Sequence, residues 1–443
     1  MEIKFYNTLT NSVEVFKPIK LNEVSIYVCG PTVYNEPHIG NMRPVVIFDT
    51  LRRFFEYVGY EVKFVSNYTD VDDKIINKAQ SEGVSELVIA NRYIESYRSC
   101  LDSLNCLKAY NNPRVTEYMQ DIINYIANLV KIGAAYVVDG EVFFDVTSVP
   151  NYGCLSNIKL DELDAGNRVA TNEKKHNPYD FLLWKKTEKG IKWPTPWCEG
   201  RPGWHTECCV MIDSIFGGHI DIHGGGHDLI FPHHENEIAQ AEATHHNTIA
   251  NYWIHNGMMN INSEKMSKSL GNVILAKDGI KQYGADTIRL LLLNCQYRSV
   301  LNFTDDTVND TKMTLQKLDN IWKQINLKIA QNSGKLYGKS TMMEKFLLAL
   351  ADDINLPNAI TEMLEVIKNA NIEIRKKDSN LNLLQDYFYT LQDMVKILGL
   401  HNTVKEYTKE DMDLYNKYLI AKGNKDFKTS DCIRATLVEK GII

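Results

Sequence analysis

The 443-residue sequence contains no apolar run of about 18 residues, the length a helix needs to cross a bilayer, so no membrane-spanning helix is expected. Its opening, MEIKFYNTLTN, has no basic stretch followed by an apolar one, so no secretory leader is expected either. Proline and glycine are sparse, at 12 and 25 residues, which excludes collagen-like and low-complexity architectures. Cysteine is also scarce, at an odd nine, and the chain is long and without a leader. A disulfide framework is therefore not expected; free thiols or metal ligands in a reducing, cytoplasmic setting are. No strong charge excess exists: 49 Lys and Arg face 56 Asp and Glu, for a net charge of −7. Charge alone therefore announces no polyanionic partner.

The order of elements is more informative. Val24–Cys29 reads as a buried strand, followed by a loop, GPTVYNEPHIGN. Met42–Tyr60 carries apolar residues at a helical period, and Glu61–Tyr68 reads as a second strand. Such a βαβ unit opens an α/β, Rossmann-type doubly wound parallel sheet, whose ligands sit at the carboxyl ends of the strands. Residues 72–132 look helical, with Asn112-Pro113 as a cap and first position and Gly133 as a stop. A hairpin is predicted around Asp139-Gly140, and 150–200 reads as an irregular part of an insertion. The sheet resumes at Gly218–His223, before a Gly224–Gly226 loop, and Phe231–Thr244 has helical spacing. From 308 onward the pattern is almost wholly helical, an all-α bundle. The expected domains are a catalytic first half at 1–104, an inserted segment at 105–200, a second half at 201–307, a helical bundle at 308–400 and a small segment at 401–443.

Three residue groups could carry chemistry. Pro37-His38-Ile39-Gly40-Asn41 lies at the start of a helix, where free N–H groups and the positive dipole end favour phosphate; Gly40 permits close approach and His38 can donate to a phosphate oxygen. Lys265-Met266-Ser267-Lys268-Ser269 crowds two lysines into a loop able to fold over a triphosphate. Cys29 sits at a strand end, and His233 and Glu237 project from one helical face. With one of Cys208 and Cys209 they could complete a zinc site. The remaining histidines, His219, His223, His227, His234, His245 and His246, are equally consistent with incidental positions. Trp184, Trp193 and Trp197 suggest a small satellite core, while Trp204 could wall a pocket near Cys208. Asp70 to Asp73 reads as a helix cap in preference to a magnesium site.

Taken together, FYNTLT (5–10), YVCGPTVYNEPHIGN (27–41), TDVDDKI (69–75), RPGWHTEC (201–208), DIHGGGHDLIFPHHENEIAQ (221–240) and EKMSKSLGN (264–272) resemble the class I aminoacyl-tRNA synthetases, in their cysteine-activating branch, over essentially the whole chain. The resemblance implies ATP binding, with Mg²⁺, by Pro37, His38, Gly40, Asn41, Gly225, Asp228, Lys265, Ser267 and Lys268. Asn41 stands where the family signature ends in His, and its amide can still donate a hydrogen bond. Among these residues His38, Asn41, Lys265 and Lys268 are expected to act on the developing charge. The resemblance further implies one Zn²⁺ per chain on Cys29, Cys208, His233 and Glu237. An amino-acid pocket at Cys29, Gly30, Thr69, Trp204, His205 and His223 is implied as well. The implied activity is ATP-dependent activation of L-cysteine and its transfer to the 3′ end of tRNA(Cys), with the helical bundle meeting the anticodon end. The implied setting is a cytoplasmic monomer with no membrane partner. Two other readings share the catalytic half: a cysteine–amino-sugar ligase of thiol biosynthesis, and a non-catalytic, zinc-dependent RNA-binding paralogue.

Overall fold

The computed structural model describes residues 1–159, 173–266, 271–332, 340–401 and 407–443. Its internal contacts define two units, Met1–Gln282 with Tyr297–Asn302, and Tyr283–Gln296 with Phe303–Ile443.

The first unit is built on a four-stranded parallel sheet of order β4-β3-β1-β2. Its strands are β1 (Glu23–Val28), β2 (Glu61–Ser66), β3 (Ile220–Gly226) and β4 (Ala250–Asn256). The crossover from β1 to β2 is α1 (Met42–Tyr57), which buries Val46, Ile47, Phe48, Leu51, Phe54 and Phe55, its apolar stripe. This is the βαβ unit expected from the sequence. Two features of the sheet differ from expectation. Gly224–Gly226 is not a loop but the end of β3, where Val28 pairs with Gly224. The reason is close packing: a Cβ at Gly224 would lie 2.1 Å from the ring of Phe48 on α1. Gly224→Ala should accordingly cost about 1–3 kcal/mol through overpacking. A lower Tm for the variant, partly recovered by adding Phe48→Leu, checks this; an unchanged Tm would contradict it. The second difference is β4, NYWIHN at its core, which the sequence reading left unassigned although Trp253 and His255 are buried.

The expected helical span 72–132 resolves into helices Asp73–Glu82, Glu86–Ser103 and Met119–Lys131. Asp72 caps the first, its side chain accepting from Lys74 N at 2.8 Å. Asn112-Pro113 starts no helix. It runs beside the end of β2 instead, Asn112 Nδ2 donating to Ser66 O (2.7 Å) and Pro113 O accepting from Tyr68 N (2.9 Å). The hairpin Ala135–Val138 and Glu141–Phe144 forms as predicted, with φ of 51° at Asp139 and 84° at Gly140, as a tight two-residue turn requires. It is completed by Phe181–Lys186 and Gly200–Pro202 into a four-stranded antiparallel sheet, so the segment expected to be irregular supplies two strands. Trp184, fully buried there, packs 6.2 Å from the Trp197 ring, but it joins one continuous core with Tyr27, Val65 and Trp253, against which Trp193 and Trp197 also pack, in place of the small satellite core expected from the aromatics. After β4 the chain forms a short antiparallel pair, Met259–Ile261 with Glu264–Lys265.

The second unit is helical beyond Phe303, with Asp305–Gln331, Leu356–Ile374 and Leu381–Leu398 as its longest helices. Their buried faces, including Trp322, Met363 and Phe388, form its core. Among the described residues no helix is long and apolar enough to cross a membrane.

Candidate metal and nucleotide site

Two helices bring their first turns to the carboxyl end of β1. One is α2 (Glu207–Phe216), whose second residue is Cys208; the other is α3 (Glu235–His245), whose first turn carries Glu237. His233 lies in the turn Ile230–His234 that feeds α3. Cys29 follows the last residue of β1. Its Sγ lies 3.5 Å from Cys208 Sγ and 3.7 Å from Glu237 Oε1. Cys208 Sγ is 3.8 Å from His233 Nε2, which is 2.8 Å from Glu237 Oε1. These four donors lie within 4.8 Å of one another and can hold a metal ion. Cys209, adjacent in sequence, turns its Sγ elsewhere, toward the carbonyls of His205 (3.8 Å) and Glu237 (3.6 Å). The choice that spacing left open is thus made by helix geometry.

A second set, Cys29, His223, His234 and Glu237, overlaps the first. His223 Nε2 is 2.7 Å from Glu237 Oε2, and His234 Nε2 is 3.3 Å from Cys29 Sγ. His234 Nδ1 in turn meets His255 Nε2 (2.8 Å), whose Nδ1 meets Thr8 Oγ1 (2.8 Å). His234 and His255 were not singled out from sequence as site residues. The doubled His233-His234 was the only signal for one, and the unassigned strand β4 hid the other.

The charges are strongly perturbed. Burial works against the Glu237 carboxylate, yet His223 and His233 hold it well below the usual carboxylate range. Burial also disfavours charged His233, but Glu237 and Cys208 draw it up to about 10. The hydrogen bond with Cys29 lowers the Cys208 thiol to about 7, while burial and Cys208 push the Cys29 thiol up. Such clustered, opposed shifts mark functional sites more often than structural ones.

The expected amino-acid pocket gathers around this cluster. The Trp204 ring, 41% exposed, stacks on His233 with centroids 4.3 Å apart. His205 Nδ1 lies 3.2 Å from His233 Nδ1, and burial beside His233 lowers His205 to about 3, leaving it neutral. Thr69 Oγ1 donates to Glu207 Oε2 at 2.7 Å, and burial raises the Glu207 carboxyl well above its ordinary value. Gly30 N donates to Asn67 Oδ1 (2.8 Å), and a Cβ at Gly30 would meet the Asn67 carbonyl oxygen at 1.6 Å. Only glycine fits this meeting of backbones at the ends of β1 and β2.

A cavity of about 720 Å³ opens beside the cluster and includes Cys29 and Gly30 in its wall. His38, Gly40, Asn41, Asp228 and Lys265 also line it. Ile39–Asn41 forms a single turn that leads into α1, as the loop–helix reading requires, and Asn41 Oδ1 closes it by accepting from His38 N (3.0 Å). Pro37 O accepts from Ala276 N (2.8 Å). Gly226 lines the cavity, whereas Gly225 lies buried within β3 against His234. Ser267 and Lys268 lie outside the described residues.

Comparisons with known proteins show the family and the fold. The family of tRNA synthetases class I (C) catalytic domains matches residues 15–313, and the DALR domain matches 345–402. A cysteine–tRNA ligase of Finegoldia magna is 46% identical over 453 residues, covering 100% of this chain and 97% of the relative. One from Oceanobacillus iheyensis is 42% identical over 454 residues, with the same coverage. In fold, the chain is similar to Mycobacterium tuberculosis methionyl-tRNA synthetase bound by methionyl-adenylate, with a TM-score of 0.61 at 15% identity, covering 85% of this chain and 90% of that one. It is also similar to the ternary complex of Agrobacterium radiobacter K84 agnB2 LeuRS–tRNA–LeuAMS, with a TM-score of 0.63 at 12% identity, covering 87% and 85%. Neither the amino-sugar ligase nor the non-catalytic paralogue is favoured by these likenesses.

Proposed function

The chain belongs to the cysteine–tRNA ligase family of class I aminoacyl-tRNA synthetases, and from that premise we propose how its own residues carry out the ligation. The reaction has two steps. The cysteine carboxylate attacks the α-phosphorus of ATP, giving cysteinyl-adenylate and pyrophosphate; a terminal hydroxyl of tRNA then attacks the activated carbonyl, taking the cysteinyl group and releasing AMP. The attacking carboxylate is already ionised, so the first step needs no protein base. Rate comes from positioning and from charge stabilisation.

Cys29, Cys208, His233 and Glu237 are the proposed zinc ligands. Tetrahedral zinc spans sulfur, nitrogen and oxygen ligands by about 3.3–3.8 Å, given its bond lengths. The donor pairs at 3.5, 3.7 and 3.8 Å match that span, whereas His233 and Glu237, hydrogen-bonded at 2.8 Å, would have to part by about 0.5 Å on ligation. Bound there, zinc supplies a soft Lewis acid that prefers a substrate thiolate to a hydroxyl, which separates cysteine from serine where packing alone is worth only about 1–3 kcal/mol. His223 orients Glu237 and the His234–His255–Thr8 chain supports Cys29, the kind of outer partners that fix ligand geometry. Trp204 and Thr69 wall the substrate side. His38, Asn41 and Lys265 face ATP and its Mg²⁺, joined by Lys268 and Ser267, while Asp228 and the end of β3 receive the adenosine. The helical region around 345–402, the DALR match, is the proposed contact with tRNA(Cys).

The single observation that carries this reading is the convergence of four donors beside a nucleotide-sized cavity. Cysteine-dependent ATP–pyrophosphate exchange, charging of a tRNA(Cys) transcript and metal analysis test it. Exchange that proceeds equally with serine, or a chain purified active without metal, would overturn it. A pH dependence follows. In the metal-free site His233 is protonated up to about 10 and the Cys29 thiol is raised. Ligation needs neutral imidazole and thiolate, so zinc uptake at pH 8 should release on the order of two protons. Affinity should therefore rise with pH toward 10. Calorimetry in buffers of different protonation enthalpy measures this, and uptake without proton release would refute the ligand set.

A further inference from the structure

Among the segments that line the cavity are two that lie far apart in sequence, one with His38, Gly40 and Asn41 and one with Asn256–Met259, Lys265 and Met266. Adenylate formation requires both to meet the same triphosphate. Between them lies Arg43, the second residue of α1, which is only 1% exposed. Its Nη1 donates to Gly257 O (2.6 Å) and Met258 O (2.7 Å), and Nη2 to Tyr297 O (3.1 Å). The first two carbonyls lie where β4 gives way to the Met259–Ile261 strand that leads to Lys265, and Tyr297 O belongs to the segment that bonds to this junction. The junction is itself tight. Gly257 N donates to Tyr297 O (2.8 Å) and Leu301 N to Met258 O (3.0 Å), and a Cβ at Gly257 would lie 2.3 Å from Ser299 O. On the far side of the lysine-bearing segment, Ile39 N donates to Ile274 O (2.9 Å), Ala276 N to Pro37 O (2.8 Å), and Lys277 pairs with Glu36 at 2.9 Å. Both roots of that segment are thus bonded to residues 36–43. The exit root is held by two backbone bonds and the Lys277–Glu36 pair, and the entry root by the Arg43 guanidinium.

We propose that Arg43 is a positioning residue for adenylate formation, setting where the lysine-bearing segment starts relative to His38–Asn41 by gripping three backbone carbonyls at once. Only a planar fork with several donors can do this; a lysine ammonium reaches fewer of them along fixed directions. Burying a cation is expensive, and apolar packing would serve a merely structural position better. Arg43 acts through the chain it holds and does not itself face the triphosphate. The proposal rests on the ligation reaction assigned above.

Arg43→Lys and Arg43→Met test it. Expected are falls in kcat for cysteine-dependent pyrophosphate exchange of about 10-fold and about 100-fold, the scale of an ångström-sized misplacement. KM for cysteine and metal content should stay at wild-type values, because the zinc cluster lies on other elements. In hydrogen exchange, the Gly257 and Leu301 amides should be protected like those of β4 in the wild type and exchange at least about 10-fold faster in Arg43→Lys, with β1 amides unchanged. A wild-type kcat in both variants would overturn the proposal, as would a loss of metal or of cysteine affinity that parallels kcat. Should neither variant fold, the wild-type measurement still decides: Gly257 and Leu301 amides exchanging at the rate of open turns would refute a held root. A wild-type chain with no cysteine-dependent exchange would instead undo the ligase assignment, leaving Arg43 to be judged by hydrogen exchange.

Discussion

Cys208→Ser should leave a folded chain that retains little zinc and activates cysteine at a rate reduced by more than about 10²-fold, since even outer partners of a bound metal are worth 10–100-fold. The expectation is strong because the position has no substitute. A serine oxygen is a harder, far less acidic ligand than the thiol it replaces, whereas the Cys208 thiol is already lowered to about 7 by its contact with Cys29. Cys209, one residue away, aims at backbone carbonyls and cannot reach the cluster without rotation of α2. Metal content by atomic absorption and pyrophosphate exchange read the two halves of the prediction separately. Full zinc occupancy with unchanged discrimination against serine would remove Cys208 from the ligand set.

Lys268→Ala should slow adenylate formation by about 10²-fold while leaving cysteine binding and zinc untouched. Losing one preorganised charge contact to a developing phosphoryl charge has that scale. Lys265, the other lysine of the motif, lines the cavity, while Lys268 itself lies outside the described residues. The effect should appear in kcat for exchange and not in the KM for cysteine, because the amino acid is held at the opposite, metal-bearing end. Exchange at the wild-type rate would discard the role.

Much of this was legible from residues alone, and what was not has physical causes. The β1–α1–β2 unit announced itself because each element carries its own period and each boundary its own turn residues. Strand β4 did not, since its inward Trp253 and His255 look no different from a loop's aromatics until a parallel neighbour is placed beside them. The glycines of β3 were misassigned for a related reason. A glycine run signals either a flexible turn or a surface pressed against something large, and only the Phe48 ring tells which. The strand Phe181–Lys186 depends on pairing with Val142–Phe144, far back in the chain, and Gly200–Pro202 pairs in turn with Trp184–Lys186, which no local pattern encodes. At the site, the donor types were readable; spacing left Cys208 and Cys209 open, the resemblance named Cys208, and the orientation of the helix turns Cys209 away from the cluster. Asn67, Glu207 and Arg43 were invisible, because an amide, a carboxylate or a guanidinium in sequence looks like solvent-facing polarity until burial is known.

Cys29 belongs to both halves of the centre, closing the donor cluster with its sulfur and the nucleotide cavity with its flank. The donor cluster and the cavity therefore meet at one residue, and under the proposed function the distance between them works as a ruler. A substrate anchored by its sulfur on one side must present its carboxylate on the other after a fixed number of bonds. Homocysteine, with the same soft atom but one methylene more, would be gripped correctly and still overshoot the phosphorus, so length is measured at no extra cost by the same residue that tests chemistry.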